Sequence, residues 1–537
     1  MENLNSGFCK ETKTFHSLRS PVDLPSPEEF PLSVADFAFS LLSSWPWYTS
    51  STAYLIDSAT GNRLSYSEFI QRVKNLAGSL KSRIPLSKGD AAFVLLPNST
   101  YVPILYFSLL SLGLIVCPSN PAADESETQR QMQIGKPVIA FTTFENRHKT
   151  SGLKYGTISI DSSEFESMME CHTHNEIAKV DVSQNDIAAI IFSSGTTGLV
   201  KGVELTHKNL ISVIRIYHDL RRGREFPAVQ LLTTPLFHIY GFFYSLRAVA
   251  LCETAVIWTS SVFDEKEFLK AVEEFRVTHA AATPPLLGAM VMGDVTDGYD
   301  TTSLESVACG GAPLKKSVIE SFGKKFPGAL IRQGYGLTES SGAAFRSLCE
   351  EECRNWGSVG RLLPNFEAKI AGLGSEFESG LPPMKKGELW IRGPTIMRGY
   401  VDDLEASSRA LSDDGWLRTG DFCYIDEEGF LFVVDRIKEL IQCDGYQVSP
   451  AEIEQILHSH SLIADAAVIG NGDEEKSAVA FVVVKDKNIL SEVEVMDFIK
   501  EKLHDHQIIR KVTFVSFIPK SPAGKILRKD LKASFLI

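Results

Sequence analysis

The sequence predicts an α/β protein, with a large N-terminal region of several α/β subdomains followed by a small α+β domain. Three observations carry this. From about Val34 to Val434, short apolar runs alternate with longer amphipathic stretches, the pattern of buried strands and the helices that cover them. After Asp435-Arg436-Ile437-Lys438 the pattern changes to a C-terminal stretch of about 100 residues, a typical size for a small domain. Between them, a Gly/Ser/Thr segment from Ser193 to Gly202 follows one of the apolar runs.

Residues 1–35 are rich in Pro and Ser (Pro21, Pro25, Pro27, Pro31) and are expected to lie irregularly along the surface. The main region is expected over 36–435. Its longest apolar stretch, Ile104 to Cys117, is shorter than a membrane span and is interrupted by Ser108, Ser111 and Gly113, so it reads as a buried helix. Ala92–Leu96, Ile187–Phe192, Val229–Leu232 and Ala255–Trp258 read as strands, and Thr206–Leu220 has helical spacing. Glu388–Arg392 and Gly429–Val434 read as strands of a β-rich segment. Residues 436–438 mark the boundary and 439–537 the small domain. There Ser449-Pro450-Ala451-Glu452 has the form of a capping box with Pro at the first helical position, and Ser491-Glu492-Val493-Glu494 is a second such signature. Ala464–Ile469, Ala478–Val484 and Val512–Ile518 read as strands.

Composition narrows the function classes. The 537 residues carry 67 acidic against 54 basic side chains, a formal net charge of −13. Non-specific nucleic-acid binding runs on positive charge and is not expected. A hydrophobic fraction of 44% with 23% charged residues is ordinary for a globular protein and rules out global disorder. None of the nine cysteines forms a CxxC pair and none has zinc-site spacing. Free, mostly buried thiols in a reducing compartment are expected. No secretory signal and no transmembrane segment is expected, and Ser534-Phe535-Leu536-Ile537 differs from the Ser-Lys-Leu peroxisomal address. The expected compartment is the cytoplasm, with the peroxisome as the alternative, and the expected state is a monomer.

The sharpest chemical feature is Ser193-Ser194-Gly195-Thr196-Thr197-Gly198-Leu199-Val200-Lys201-Gly202. Its glycines let backbone approach a ligand closely. Its hydroxyls and amides can surround phosphate oxygens, and Lys201 adds a positive charge. It is not the loop of P-loop nucleotidases, because Lys201 stands three residues after Gly198 rather than directly after it. The segment follows the apolar run Ile187–Phe192 and precedes a helix opening near Thr206; a polar Gly-rich turn without a ligand is the weaker reading.

Four further segments follow in order: Tyr335-Gly336-Leu337-Thr338-Glu339, Thr419-Gly420-Asp421, Asp435-Arg436-Ile437-Lys438-Glu439-Leu440-Ile441, and Pro519 through Arg528. With the loop they resemble the motifs of the adenylate-forming superfamily: acyl-CoA synthetases, peptide-synthetase adenylation domains and firefly luciferase. Phe237-His238-Ile239-Tyr240-Gly241, Gln333-Gly334-Tyr335 and Gly445-Tyr446-Gln447-Val448 are similar, more narrowly, to plant 4-coumarate:CoA ligases and their ligase-like relatives.

The resemblance implies that family's fold, with a mobile C-terminal domain closing over AMP, and its two-step reaction. ATP and a carboxylic acid give an acyl-adenylate and pyrophosphate; a thiol, usually coenzyme A, then displaces AMP. It implies that Ser193, Ser194, Gly195, Thr196, Thr197 and Lys201 hold β- and γ-phosphates, that Glu339 holds Mg2+, and that Thr338 lies beside the α-phosphate. Gln333, Gly334 and Tyr335 would belong to the nucleotide site. Asp421 would accept the ribose hydroxyls, Arg436 would hold ribose or phosphate, and Lys525 would reach the reacting carboxylate. Lys438 matches the hinge, and Gln442, Asp444, Gly445 and Gln447 stand at nucleotide and coenzyme A positions. His238, Tyr240, Tyr244, Gly310, Gly311, Ala312, Gly334, Gly342 and Ala343 would line the acyl pocket. Alone, each Asp, Arg or Lys is ordinarily a solvated surface charge; their joint order is what points to a site.

Several departures bear on the reaction. Gln442 and Asp444 stand where the family has lysines, and Val262 where the 4-coumarate ligases have one. Coenzyme A is a polyanion, so these changes weaken its binding, by about 0.5–1 kcal/mol for each exposed contact. Val200 replaces a Pro in the loop. Gly342 and Ala343 replace Pro and Val, which suggests a deeper pocket, whereas Tyr244 subtracts volume from the side. No cation for a second carboxylate is evident in these segments. The leading expectation is an AMP-forming acid–CoA ligase acting on a hydroxycinnamate. The alternatives are a fatty or oxylipin acid, an acyl acceptor other than coenzyme A, and an ATP-binding pseudoenzyme.

Overall fold

A computed structural model describes residues 5–26, 32–170, 180–193, 200–260, 262–293, 298–373, 379–443, 446–470, 478–485, 490–502, 509–520 and 526–535. The chain folds as two compact units. The larger comprises residues 16–367 and 391–418, the smaller residues 1–15, 368–390 and 419–537. The sequence boundary at 436–438 has the strands before it in the large region, but by packing those strands are grouped with the C-terminal residues.

The larger unit is built on two sheets. The nine-stranded sheet runs in the order Arg361–Leu362, Gly342–Arg346, Leu330–Leu337, Ser306–Gly310, His279–Ala282, Val229–Leu232, Thr254–Ile257, Ala53–Asp57, Arg63–Ser65. The six strands from Leu330–Leu337 to Ala53–Asp57 are parallel, and antiparallel strands finish both edges. The strand runs are short and apolar because both faces are covered. On one face Phe268, Leu269 and Val272, at helical spacing on Glu265–Phe275, pack against Val256, Val307 and Ile331. The seven-stranded sheet centres on Ala91–Leu95 and Ile115–Ser119, with Ile187–Ser193, Lys201–Thr206 and Gly399–Tyr400 at one side. No described helix is long and apolar enough to cross a membrane.

Three expectations are corrected here. The apolar stretch from Ile104 to Cys117 is not one helix: Tyr101–Ser111 is helical and buried nearly all round, and Ile115–Ser119 is a strand. Gly113, at φ +67°, makes the turn; a β-carbon there would come within 2.8 Å of Lys88 Cγ. The helix does not follow the Gly/Ser/Thr segment directly: Lys201–Thr206 is a strand pairing antiparallel with Ile187–Ser193, Lys201 opposite Ser193. The helix then begins at His207, near Thr206 as expected, with Thr206 and Asn209 forming a complete capping box. Finally, residues 1–35 do not simply follow the surface. Phe8–Cys9 pairs with Thr14–His16, and Phe8, Phe15 and Val22 are buried. Apolar residues ahead of the prolines supply two short strands to a six-stranded sheet.

That six-stranded sheet runs Phe8–Cys9, Thr14–His16, Glu367–Ala371, Gly387–Arg392, Leu417–Ile425, Leu431–Arg436. Beyond it, Ala478–Val484 is central in a three-stranded sheet, antiparallel to Ile463–Gly470 and parallel to Ile509–Phe514. The last strand lies upstream of the expected Val512–Ile518, since its pairing with Ala478–Val484 begins at Ile509. Helices Pro450–His458 and Glu492–Lys500 start at Ser449 and Ser491 as their signatures predict, and Ser491 and Glu494 complete a capping box. Cys117, Cys252, Cys309 and Cys423 are buried free thiols.

Candidate active site

The hairpin and a short helical turn assemble the first part of the site in the larger unit. Glu339 lies in the single turn Thr338–Ser340 at the end of the Leu330–Leu337 strand and is buried at 8% exposure. The turn is pinned on both sides. Ser340 Oγ donates to the carbonyls of Leu337 and Gly342, Ser341 Oγ donates to Thr395 O at 2.7 Å, and Met397 N donates to Glu339 O at 2.8 Å. Ser341 sits at φ +56°, a left-handed conformation that side chains other than Gly and Asn rarely adopt. Such strain persists only where the surroundings over-determine it.

Ser193 Oγ donates to Glu339 Oε1 at 3.2 Å, and the Tyr400 hydroxyl donates to the same oxygen at 3.0 Å. Oε2 has no hydrogen-bond partner and the carboxylate no ion-pair partner among the described residues. Lys201 Nζ instead lies over the Tyr400 ring, 4.6 Å from its centroid. Burial first, then the Glu339 carboxylate, push the Tyr400 phenol well above its ordinary pKa, so it stays a donor. Tyr400 was not singled out in the sequence. It arrives because Gly399–Tyr400 pairs with the hairpin, Val203 opposite Tyr400, and no local pattern signals that pairing. A buried carboxylate with a free oxygen and no paired cation is a hard-cation ligand in waiting; the residues present fit Mg2+.

The acyl-pocket candidates cluster at the carboxyl ends of the parallel strands, where open α/β sheets bind ligands. Gly310, Gly334 and Arg346 stand in one row across three neighbouring strands. A β-carbon on Gly310 would lie 3.0 Å from Gly334 O, and one on Gly334 3.7 Å from Arg346 Cγ. The β-carbon of Gly334 would also lie 3.3 Å from Phe345 O, so both glycines allow close backbone approach in a row that ends on Arg346. Gly311, at φ +91°, and Ala312 are exposed beside it. The helix Ile239–Ala250 forms the side wall. Gly241 lets it approach the 235–236 segment so closely that a β-carbon would fall 2.2 Å from Pro235 O. Tyr240 donates to Ala308 O at 3.0 Å, and Tyr244, one turn on, accepts from Arg346 Nη1 at 3.0 Å. His238 precedes the helix. Its surface is exposed, yet surrounding protein desolvates the imidazole and lowers its pKa, the combination expected for a ring lining a cavity.

Two expectations about this pocket change. Arg346 is a buried cation beyond the quoted segments, so the pocket region does not lack one. Gly342, at φ +134°, is set by backbone rather than by volume: a β-carbon there would meet Phe243 and Val213 at ordinary contact, 3.8 and 4.0 Å. Proline, fixed near −65°, cannot adopt this backbone. Ala343 stands opposite Gly336 across the adjacent strands. Gln333 and Tyr335 flank Gly334 on the same strand, with the Tyr335 ring 6.3 Å from Phe345.

The smaller unit carries the second group. Asp421 is buried and stands opposite Arg436 across paired strands, with Arg436 Nε 2.7 Å from its Oδ1. Thr419 Oγ1 holds the Asp421 amide at 3.1 Å, and Glu388 accepts from the Gly420 amide at 3.0 Å. Lys438 is exposed in the short helical turn Ile437–Glu439. Asp435, for which the sequence suggested no separate role, accepts from Ser449 Oγ at 2.8 Å and from Ala451 N at 3.0 Å. It thereby ties the 436–438 segment to the start of a helix. Gln442 pairs with Gln447 in a two-stranded ribbon. Ser194, Gly195, Thr196, Thr197, Asp444, Gly445 and Lys525 lie outside the described residues. Val262 is exposed at 71%.

The sequence profile described as AMP-binding enzyme matches residues 48–401, and that of the AMP-binding enzyme C-terminal domain matches residues 452–525. The 4-coumarate–CoA ligase-like 9 protein of Arabidopsis thaliana is 46% identical over 98% of this chain and 96% of its own. Peroxisomal OPC-8:0-CoA ligase 1 of the same plant is 40% identical over 98% of this chain and 97% of its own. Among solved structures, O-succinylbenzoate coenzyme A synthetase from Bacillus subtilis, in complex with ATP and a magnesium ion, superposes with a TM-score of 0.77 at 26% identity, covering 92% of this chain and 99% of that one. Similarity sustained over nearly the whole chain leaves one conclusion: the protein belongs to the AMP-binding enzymes, the adenylate-forming acid–thiol ligases, and is similar throughout to plant 4-coumarate–CoA ligase-like proteins.

Proposed function

We propose that the protein joins an extended-chain carboxylic acid, of fatty or oxylipin type, to coenzyme A through an acyl-adenylate. The single observation that carries the adenylation step is Glu339: a buried carboxylate, oriented by Ser193 and Tyr400, with one oxygen uncommitted among the described residues. Attack of a carboxylate on the α-phosphorus brings anions together, so the site must supply positive charge without rearranging. Lys201, at the mouth of the hairpin, supplies one fixed charge. Mg2+ held by Glu339 would supply another, neutralising phosphate charge as pyrophosphate leaves.

Thr338 stands beside the reacting phosphate in this reading. Asp421 accepts the ribose hydroxyls while Arg436 holds its orientation. Lys525 enters from the smaller unit for adenylation and withdraws by rotation about Lys438 before the thiol attacks the acyl carbon and releases AMP. The domain limits read from the sequence, with the hinge at 436–438, serve this motion. His238, Tyr240 and the Gly310–Gly334 row receive the acyl chain.

The acid is read as extended because the row Gly310–Gly334, beside Tyr240 and Tyr244, leads to the buried polar end of Arg346. A 40% identical relative named for OPC-8:0 supports an oxylipin. The hydroxycinnamate reading is favoured by the Phe237–Gly241 and Gln333–Tyr335 motifs and is the competing arm of the test. Exposed Val262 and the Gln442 and Asp444 positions favour weaker coenzyme A binding. A monomer in the cytoplasm is proposed, the peroxisomal relative supporting the alternative compartment.

The test incubates hydroxycinnamates, C6–C18 fatty acids and oxylipin acids with ATP and Mg2+, following pyrophosphate and acyl-CoA together. Thioester from an extended acid is the expected result. Thioester only from hydroxycinnamates would overturn the substrate reading. Pyrophosphate without thioester would overturn coenzyme A as acceptor, and neither signal with any acid would leave an ATP-binding protein without turnover.

A further inference from the structure

Beyond Arg346 the larger unit buries an unusual charge cluster. Arg346 Nη1 donates to both the Tyr217 and Tyr244 hydroxyls at 3.0 Å. These are its only side-chain hydrogen bonds among the described residues, and it has no carboxylate partner there. Arg247, at 1% exposure, stacks on Tyr244 at 4.1 Å and Tyr217 at 5.3 Å. Its Nη2 bonds Gln230 and Glu253, while its Nε and Nη1 lack partners. Arg221 reaches Glu253 at only 3.9 Å, and Arg332 Nε is buried without a partner. The nearby Glu305 is engaged bidentately by Arg224.

Of these four guanidiniums, Arg247 and Arg221 face the buried Glu253, whereas Arg346 and Arg332 have no carboxylate partner among the described residues. Uncompensated buried charge is costly, so the surplus needs an explanation. The neighbours register the field. Burial alone raises the Tyr244 phenol, but Arg346 and Arg247 outweigh it and bring its pKa below the ordinary value. Burial and the surrounding arginines hold His279 well below its own, so this imidazole adds no charge and accepts from Arg221 at 3.0 Å. The surplus lies at the end of the Gly310–Gly334 row, where Arg346 stands next in register.

We infer that Arg346 is a specificity-determining residue that receives an oxygen acceptor, keto or carboxylate, at the far end of the acyl chain. This rests on the acyl-pocket reading above and adds what the pocket selects. The acid is bound by its reacting carboxylate at the mouth and by a second oxygen at Arg346, which exchanges a tyrosine hydroxyl for a stronger, charge-assisted acceptor. A plain alkyl end offers the guanidinium nothing and leaves the surplus charge unanswered.

The test compares three acids of equal length at each length from C6 to C12: the unsubstituted acid, its penultimate-keto derivative and its terminal dicarboxylate. Binding to the full-length protein is measured by calorimetry with AMP present, and pyrophosphate release is followed separately. At one length or more, an oxygenated acid should bind about tenfold tighter than its alkyl counterpart or better. That ratio should collapse in Arg346→Met and partly return in Arg346→Lys. A merely structural Arg346 would lower binding of all three acids alike and leave the ratio unchanged, which overturns the inference. Equal or better binding of the alkyl acids to the wild type at every length overturns it without any variant. Because binding carries this test and turnover carries the functional proposal, failure of one is distinguishable from failure of the other.

Discussion

Glu339 receives its two hydrogen bonds on the same oxygen, one from Ser193 in the hairpin and one from Tyr400 on the strand beside it. Removing one donor from a buried carboxylate should matter more than its place at the edge of the site suggests. Tyr400→Phe keeps the ring under Lys201 and deletes only the hydroxyl. Adenylation should fall about tenfold, the worth of a hydrogen bond to a charged group, and should need more Mg2+ to saturate. Pyrophosphate release titrated against Mg2+ checks this, and an unchanged curve would show that Tyr400 does not orient the carboxylate. At this scale Lys201, Glu339, His238, Tyr240 and Asp421 were legible as candidates, because their motifs are local and ordered. Tyr400 and Arg346 were not. Each lies outside the motif segments and reaches the site through a strand pairing whose register no short pattern encodes.

Two elements owe their form to single residues. The helix Pro450–His458 starts under a double cap, Ser449 on Glu452 N and Asp435 on both Ser449 Oγ and Ala451 N. Asp435→Ala should cost the smaller unit about 1–2 kcal/mol, the scale of a lost N-cap, read as a lowered urea midpoint for that unit. Full stability would mean that Ser449 caps the helix unaided. The strand Gly342–Arg346 begins at a backbone conformation that proline cannot adopt. Gly342→Pro should therefore destabilise the larger unit by at least about 1–3 kcal/mol, whereas Gly342→Ala, whose β-carbon meets only ordinary contacts, should stay near the lower end of that range. Thermal unfolding of the pair distinguishes backbone strain from lost pocket volume; equal small effects would argue for volume.

Across the larger unit, buried imidazoles set an acid limit. His207 accepts from Val34 N at 3.0 Å, and burial lowers its pKa from 6.5 to about 4. His218 is lowered to about 4, by burial and then by Arg215 and Arg222. Both rings are neutral in the fold but protonate near 6.5 when unfolded. Below that pH the unfolded chain therefore binds more protons, and their stabilisation, complete above 6.5, is lost as pH falls toward 4. At pH 5 the His207 ring should have given up about 2 kcal/mol. Protection factors of the amides of residues 211–217 should fall on going from pH 7 to 5, once the slower intrinsic exchange at lower pH is divided out. His207→Gln, which keeps an acceptor for Val34, should remove part of that fall. No difference between variant and wild type would show that His207 does not titrate with unfolding.

The sequence by itself determined the family, the order of the motifs, the helix opening near Thr206, the caps at Ser449 and Ser491, and the strand runs at Val229–Leu232 and Ala478–Val484. These are read from neighbouring residues: a cap needs a hydroxyl three positions before its partner, and a buried strand needs an unbroken apolar run. Only the tertiary structure decided that Lys201–Thr206 pairs with Ile187–Ser193, that Phe8 and Phe15 lie on two paired strands, and that Arg346 stands in the row of Gly310 and Gly334. Those depend on which distant strands pair and in what register, and a shift of one residue would turn Arg346 to the opposite face of the sheet. Local chemistry is encoded locally, whereas the floor of the pocket is encoded only in how the sheet closes.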